Sequence, residues 1–170
     1  WEPLWKFLTF SLADDLIMPQ KNLSVAINKG SLSVAYGSRF LSHIIIKGVR
    51  EYIFEEGKYP QPKDLVSSLK ISMNEFGVKN TDITLSIPKA WTIIKTAEFP
   101  STVKENIQDV VSYEMDRLTP LMPEEAFFDF NVLNDDSRQL SLMIMAVKAD
   151  TIMPYINELN EIGLKINRII

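Results

Sequence analysis

The sequence contains no cysteine, and His43 is the only histidine among its 170 residues. The lack of cysteine excludes disulfides, thiolate metal sites and cysteine nucleophiles, and it is typical of a cytoplasmic chain. Because nitrogen- and sulfur-based metal sites need several such ligands together, we interpret His43 as a partly buried structural residue of a strand. The sequence therefore predicts no metal site.

Long apolar runs and an excess of positive charge are also missing. No apolar run approaches the ~20 residues that a membrane-spanning helix needs. The net charge of −4 and a pI near 5.1 argue against a protein that binds nucleic acid by neutralising phosphates. Hydrophobic residues at 46% and charged residues at 24% are ordinary values, so the composition predicts one globular domain or a domain with a small inserted subdomain.

The first 20 residues differ in pattern from the rest of the chain. Apolar side chains recur there at helical spacing and would share one face of a helix: Trp1, Leu4, Trp5, Leu8 and Leu12. We expect a helix packed on its own domain or on a neighbouring molecule. A docking or membrane-surface segment is the alternative, although Lys6 is the only basic residue available for binding a membrane surface. A secretory signal is not predicted, because no basic start and no small-residue cleavage site are present.

Residues 22–54 alternate between apolar and polar side chains, which predicts a three-stranded meander. The first turn is predicted at Asn28–Ser31 and the second at Gly37–Arg39. The third strand should begin at His43 and end at Val49. These three strands, taken in sequence, would be antiparallel neighbours.

A helix and a strand should follow the meander. Apolar spacing predicts a helix that opens at Pro62 or Lys63 and is closed by Gly77 as a left-handed cap. The alternating strand Ile83–Ile87 should end at Pro88, because proline lacks the N–H that a sheet ladder needs. The first half of the chain is therefore predicted to form three strands, a helix and a strand.

The next segment predicts a strand and a helix. The strand runs from Trp91 to Phe99 and ends before Pro100. Thr102 and Glu105 have the spacing of a capping box, and apolar residues then recur at helical spacing until Pro120. A continuous helix between these points is the simplest interpretation.

The last part of the chain predicts a hairpin, a helix and a strand. The hairpin joins residues 127–133 and 139–147 through the turn formers Asn134–Ser137. A helix over residues 150–163 should be capped by its first residue and ended by the glycine at its last. Residues 164–170 should form the closing strand.

In order and spacing, these pieces resemble the cytoplasmic actin-like scaffolds of bacterial pilus and secretion machines. The resemblance covers roughly residues 22–170 and is to the PilM type of type IV pilus assembly and the GspL type of type II secretion, which share the fold of the cell-division actin homologue FtsA. The residues that carry it are Ile87-Pro88, Phe99-Pro100, Tyr113-Glu114-Met115-Asp116-Arg117-Leu118-Thr119-Pro120, Glu124-Glu125 and Asp129.

The resemblance implies an α/β fold, namely an actin-like (ribonuclease H-like) half-domain with an inserted small strand-helix-strand-strand subdomain. Residues 1–20 would be a leader segment, residues 21–88 and 164–170 the main subdomain, and residues 89–163 the insertion. The chain starts without methionine and ends on an apolar run, so we expect a longer protein that continues into a membrane span.

The resemblance also implies where a nucleotide would bind. Actin-like ATPases use two glycine-containing hairpins, and the first carries an Asp before its glycine that helps to hold the metal. The matching turn here is Asn28-Lys29-Gly30-Ser31, a degenerate phosphate turn in which an amide replaces the carboxylate and weakens any Mg²⁺ site. Lys29 could still touch a phosphate, but the second hairpin would lie beyond Ile170. We therefore expect no cofactor.

No motif predicts catalysis. Glu114 and Asp116 are two residues apart and would face different sides of a helix, whereas Glu124-Glu125 lie in a loop, so solvated or capping charge is the simpler interpretation. The Gly-x-Ser-x-Gly pattern of serine hydrolases is absent. The sequence predicts a protein that is not an enzyme.

The remaining candidate is a surface that binds a partner protein. The end of the predicted helix and its exit loop carry residue types enriched at interfaces. The candidates are Tyr113, Met115, Arg117, Leu118, Pro120, Leu121 and Met122, with Trp91 on the preceding strand. In the alternative interpretation Leu118 and Leu121 belong to the core and Arg117 is merely solvated. The edge of the strand Trp91–Phe99 would suit strand addition.

From the resemblance we expect a non-catalytic scaffold in the cytoplasm, at the inner membrane, without nucleic-acid partners. It would link the assembly or secretion ATPase to inner-membrane platform proteins, as a monomer or homodimer, and reach the membrane through a missing region or a partner. The alternatives are an actin-like nucleotide-binding ATPase and a filament protomer.

Overall fold

A computed structural model describes residues 20–40, 43–79, 81–136 and 138–170. The amphipathic pattern predicted within residues 1–20 lies outside these described residues. The described chain divides into two units. It passes from the first unit into the second and then returns to the first. The first unit comprises the described residues up to Ser86 together with Glu158–Ile170, and the second is Ile87–Asn157. The second unit is therefore an insertion into the first.

The first unit is built on a five-stranded sheet of order β3-β2-β1-β4-β8. Strand β1 is antiparallel to β2 and parallel to β4, and β4 is parallel to β8. The elements are β1 (Gln20–Asn28), β2 (Ser31–Phe40), β3 (His43–Ile53), α1 (Pro62–Glu75), β4 (Asp82–Ser86) and β8 (Ile166–Ile169).

The core of the first unit lies between one face of this sheet and α1. Along β1, Leu23 and Val25 are buried whereas their polar neighbours are exposed, as the alternation of side chains across a strand requires. Leu65 and Leu69 of α1 are fully buried. Helix α1 starts at Pro62 as predicted, because proline fits the first helical position without losing a needed N–H.

The predicted turn at Gly37–Arg39 is wrong. Strand β2 continues to Phe40, and a β-bulge between Tyr36 and Gly37 shifts its register with β3. A Cβ on Gly37 would lie 2.9 Å from the carbonyl oxygen of Ile45. The glycine is therefore required because β3 approaches closely at the bulge. Within strands, glycine marks such close approaches and bulges.

The second unit is a three-stranded antiparallel sheet of order β5-β7-β6 with short helices between its strands. The predicted hairpin is confirmed as β6 and β7. The elements are β5 (Thr92–Pro100), a 3₁₀ segment (Ser101–Asn106), α2 (Ile107–Tyr113), α3 (Met115–Leu118), β6 (Ala126–Asp135), β7 (Gln139–Lys148) and α4 (Ala149–Glu161). The last residues of α4, from Glu158, belong to the first unit.

The helical segment between β5 and β6 is not continuous, which corrects the sequence prediction. It begins as 3₁₀ turns after Pro100 and has no side-chain cap, so the capping box expected from Thr102 and Glu105 is not formed. Asn106 lies outside the helical region at φ −121°, and Glu114 separates α2 from α3 at φ −88° and ψ 0°. Asparagine favours such local breaks because its side chain competes for backbone hydrogen bonds.

The predicted helix ends are confirmed. Gly77 and Gly163 adopt positive φ values of 67° and 77°, the conformation in which glycine has no steric penalty. Helix α4 starts one residue before the predicted cap, so that Asp150 lies in its first turn. None of the helices in the described ranges is long and apolar enough to span a membrane.

Candidate protein-binding surface

The helical segment of the second unit packs on one face of the three-stranded sheet. Val111 and Met115 are fully buried against alternate residues of β7. The buried cluster consists of Phe99, Val111, Met115, Leu140, Leu142, Ile144 and Ala146. The prediction that Met115 lies on the interaction surface is wrong, because its side chain belongs to the core.

The opposite side of the helical segment is exposed. Tyr113 is 83% exposed and Met122 is 54% exposed, whereas Pro120 is exposed in the loop that leaves α3. The Arg117 side chain is 75% exposed, and its Nη1 donates a hydrogen bond of 2.7 Å to the carboxylate of Glu114. These side chains, Tyr113, Arg117, Pro120 and Met122, are called the helix-end surface below.

Two predicted surface residues point the other way. Leu118 and Leu121 are partly buried and pack against the hydrophobic cluster, in agreement with the alternative interpretation of the sequence. They support the helix-end surface from beneath. Val111, Met115 and Leu118 are spaced as one helical face. The interface candidates were instead grouped by residue type and by their place at the helix end, which does not separate buried from exposed residues.

A buried threonine fixes the course of the chain into this surface. Thr119 is 5% exposed. Its hydroxyl donates to the carbonyl of Met115 at 3.0 Å and accepts from the amide of Leu121 at 3.2 Å. Since both partners are backbone groups, the exit of α3 is held without help from a distant element.

Trp91 lies in a 3₁₀ turn directly before β5. Its ring centroid is 5.6 Å from that of Tyr155 in α4, with an interplanar angle of 39°. The register pairs Thr92 with Val147 and Ala126 with Lys148, so Trp91 and the loop that enters β6 are at the same end of the sheet. Trp91 is thus half-buried by α4, whereas Tyr113 stands free of the core.

Strand β5 is an edge strand of the second sheet, because the strand order is β5-β7-β6. Strand addition needs an edge strand, and at residues Trp91–Phe99 it stays a prediction. Ile94 is 45% exposed along this strand, which would provide an apolar contact to an added strand.

The degenerate phosphate turn joins β1 to β2. Asn28 pairs with Ser31, which leaves Lys29 and Gly30 as the two turn residues, and Gly30 has φ 82°. The amide of Gly30 donates to the carbonyl of Lys58 at 2.7 Å, and its carbonyl accepts from the amide of Phe54 at 2.8 Å. Both backbone groups of the glycine are therefore used to hold the segment after β3.

The titratable groups do not converge on a reactive site within the described residues. No group of three His, Asp or Glu side chains there could hold a metal ion, and His43 lies exposed at the start of β3 rather than partly buried. Glu114 is engaged by Arg117, whereas Asp116 and Glu124 are exposed.

One carboxylate has a shifted pKa in the second unit. The backbone amides of Arg138 and Gln139 both donate to Asp136, at 2.8 and 2.7 Å, and these bonds lower the pKa of Asp136 below its usual range. The shift belongs to the turn between β6 and β7, where turn-forming residues of the sequence predicted a turn. It is a structural feature of the hairpin.

The strand order, together with the insertion of the second unit into the first, defines an actin-like α/β half-domain with an inserted small subdomain. Two solved structures share this fold. One is the PilM-PilN type IV pilus biogenesis complex, with a TM-score of 0.71 and 17% identity over 86% of the present chain. The other is the cytoplasmic domain of EpsL from Vibrio cholerae, an inner-membrane component of the type II secretion system, with a TM-score of 0.58 and 10% identity over 88% of the present chain.

The present chain spans about half the length of these structures, covering 46% of the first and 56% of the second. No family model and no curated protein matches the sequence. The likeness establishes the fold, and the fold expected from the residues and their resemblance is confirmed.

Proposed function

We propose that the chain is a non-catalytic cytoplasmic scaffold of a bacterial type II secretion or type IV pilus inner-membrane platform, where it links the assembly ATPase to membrane partners. The observation that carries the proposal is the fold shared with the PilM-PilN complex at a TM-score of 0.71. The EpsL likeness supports the same class of assembly, because that protein is an inner-membrane component of type II secretion.

The degenerate phosphate turn supports a role without nucleotide. Phosphate-binding turns work by pointing free backbone amides at the anion. In this chain the amide of Gly30 donates to the carbonyl of Lys58, and Asn28 supplies no carboxylate for a metal ion. The turn therefore serves the packing of its own unit.

The helix-end surface is the proposed contact for the ATPase. It combines an exposed aromatic ring, a guanidinium and an exposed methionine on a rigid support, the combination most enriched at protein interfaces. Arg117 donates a hydrogen bond to Glu114, which favours one orientation of its guanidinium before a partner binds. Such preorganisation reduces the entropy lost on binding.

Calorimetric titration tests the proposal. The chain is titrated with the N-terminal domain of the assembly ATPase encoded in the same operon, and the titration is repeated with Tyr113→Ala and with Arg117→Glu. A hot-spot loss of about 2 kcal/mol corresponds to a Kd raised by about 30-fold. Lys70→Glu, the same charge change at an exposed position of α1, is the control and should bind like the unaltered chain.

Three results would contradict the proposal. Saturable binding that none of these substitutions weakens would remove the helix-end surface from the contact. ATP binding or hydrolysis by the chain, lost with Asn28→Ala or Lys29→Ala, would replace the scaffold by a nucleotide-binding ATPase. Head-to-tail assembly in sedimentation would favour a filament protomer.

A further inference from the structure

The helix-end surface lies in a strongly acidic stretch of the chain. Residues 105–125 contain six carboxylates and a single cation, Arg117, so their formal charge is −5. The whole chain carries −4, so all other residues together sum to +1. The exposed carboxylates of the stretch are Glu105, Asp109, Asp116, Glu124 and Glu125. The negative charge of the protein is therefore concentrated in the segment that carries the helix-end surface.

Helical spacing and a short turn place carboxylates beside the apolar part of this surface. Asp109 lies four residues before Tyr113 in α2, so the two side chains are neighbours on one face of the helix. The amide of Glu125 donates to the carbonyl of Met122 at 3.0 Å, in the 3₁₀ turn that leads into β6. Both exposed apolar side chains of the surface therefore have a carboxylate within one turn.

The cations in and beside the stretch are already engaged. They form the ion pairs Arg117–Glu114, Lys104–Asp135 and Lys148–Asp150. Lys104 directly precedes the stretch, and Lys148 is paired in register with Ala126, directly after it. None of the ion pairs in the described part of the chain involves the five exposed carboxylates. Their charge is therefore left for a partner to offset.

This charge selects against several classes of ligand. Nucleic acids and anionic membrane surfaces carry the same sign and would be repelled. A metal ion does not account for the carboxylates either, because no group of three His, Asp or Glu side chains in the described ranges could hold one. A basic protein surface remains, since opposite charges steer two proteins towards each other and fix their register.

We propose that the partner which binds the helix-end surface presents lysine and arginine side chains around an apolar contact. The inference rests on the proposed function, because it describes the partner of that same surface. Tyr113 and Met122, which are 83% and 54% exposed, make the apolar contact, and the carboxylates beside them attract the basic side chains. Charges at the edge of an interface act mainly on the association rate, whereas the packed contact sets the dissociation rate.

Arg117 then contributes contact area rather than attraction. Its guanidinium donates to Glu114, so the pair adds no net charge to the surface. Arg117→Glu makes the surface more negative and removes the planar guanidinium from the contact. Its weaker binding should therefore come from faster dissociation, with an association rate no lower than that of the unaltered chain.

Stopped-flow mixing of the chain with a fluorescently labelled N-terminal domain of the assembly ATPase measures the association rate constant. Ionic strength is raised from about 0.01 M to about 1 M, which shortens the Debye length from about 30 Å to about 3 Å. Steering raises association rates by about 10- to 1,000-fold, so the unaltered chain should lose at least about tenfold over this range. Glu124→Gln with Glu125→Gln removes two of the five net charges. Since the logarithm of the steering effect scales with charge, the rate at low ionic strength should fall by about 2.5- to 16-fold.

The matched control is the dipeptide Glu55-Glu56 of the first unit, whose side chains are also exposed. Glu55→Gln with Glu56→Gln should leave the association rate close to that of the unaltered chain. An equal loss in both double variants would assign the attraction to the overall charge and overturn the inference. A rate independent of ionic strength, with binding still weakened by Tyr113→Ala, would also overturn it and leave the proposed function standing. No association at all would overturn both.

Discussion

The two methionines at the end of the helical segment offer the sharpest test of how this segment sits on its sheet. Met115 is fully buried in the cluster beneath it, whereas Met122 is 54% exposed. Met115→Ala removes three heavy atoms from a packed site, which costs about 2–5 kcal/mol of unfolding free energy. Alanine has the higher helix propensity, so the loss can only come from packing. Met122→Ala should change the unfolding free energy by no more than about 0.5 kcal/mol.

Urea unfolding followed by circular dichroism measures the difference. With a slope of about 2 kcal/mol per M, a loss of about 3 kcal/mol moves the midpoint of Met115→Ala down by about 1.5 M, whereas Met122→Ala keeps the original midpoint. Similar midpoints for the two variants would refute the orientation of α3. So would a Met115→Ala variant that binds the ATPase more weakly at unchanged stability, because Met115 would then face the partner.

Further predictions concern three local features. Removing the Asp136 carboxylate with Asp136→Ala should lower the melting temperature at pH 7. Because the folded-state pKa is depressed by the amides of Arg138 and Gln139, this stabilisation is present above about pH 4 and is lost as the pH falls through the folded pKa, so the difference between the melting curves should narrow in acid. Gly37→Ala places a Cβ 2.9 Å from a β3 carbonyl and should cost about 1–3 kcal/mol in urea unfolding; an unchanged midpoint would mean that β3 can move away. Thr119→Val leaves the amide of Leu121 without its partner and removes one of the two hydrogen bonds to the carbonyl of Met115. The substitution should cost about 1–3 kcal/mol in the same assay, with Thr119→Ser retaining most of the stability.

Elements whose signal is local could be predicted from the sequence. The alternation along β1 and β2 follows from one buried face, and a one-residue slip would expose Leu23 and Val25. Helix α1 could be predicted from Pro62 at its start and Gly77 after its end, since each residue has a conformational reason to be there. The hairpin of β6 and β7 could also be predicted, because turn-forming residues separate its two strands.

Elements that depend on distant contacts could not be predicted. Gly37 carries the same local signal whether it makes a turn or admits a neighbouring strand, and only the pairing of β2 with β3 decides between them. The break at Glu114 likewise has no local signature, because Glu114 and Met115 are good helix formers and no glycine or proline lies next to them. Residue type and position at the helix end grouped Tyr113 and Met115 as one surface, and the packing of Met115 on β7 separated them.

The degenerate phosphate turn shows why a retained glycine is weak support for a retained ligand. Gly30 adopts a positive φ because a two-residue connection between β1 and β2 requires one. Its amide and carbonyl then hold Lys58 and Phe54, which lie more than twenty residues away in sequence. The fold alone therefore accounts for the glycine, and it would do so with or without a nucleotide. A case for nucleotide binding has to rest instead on groups that the fold does not need, such as a carboxylate at position 28 and a free amide facing a phosphate.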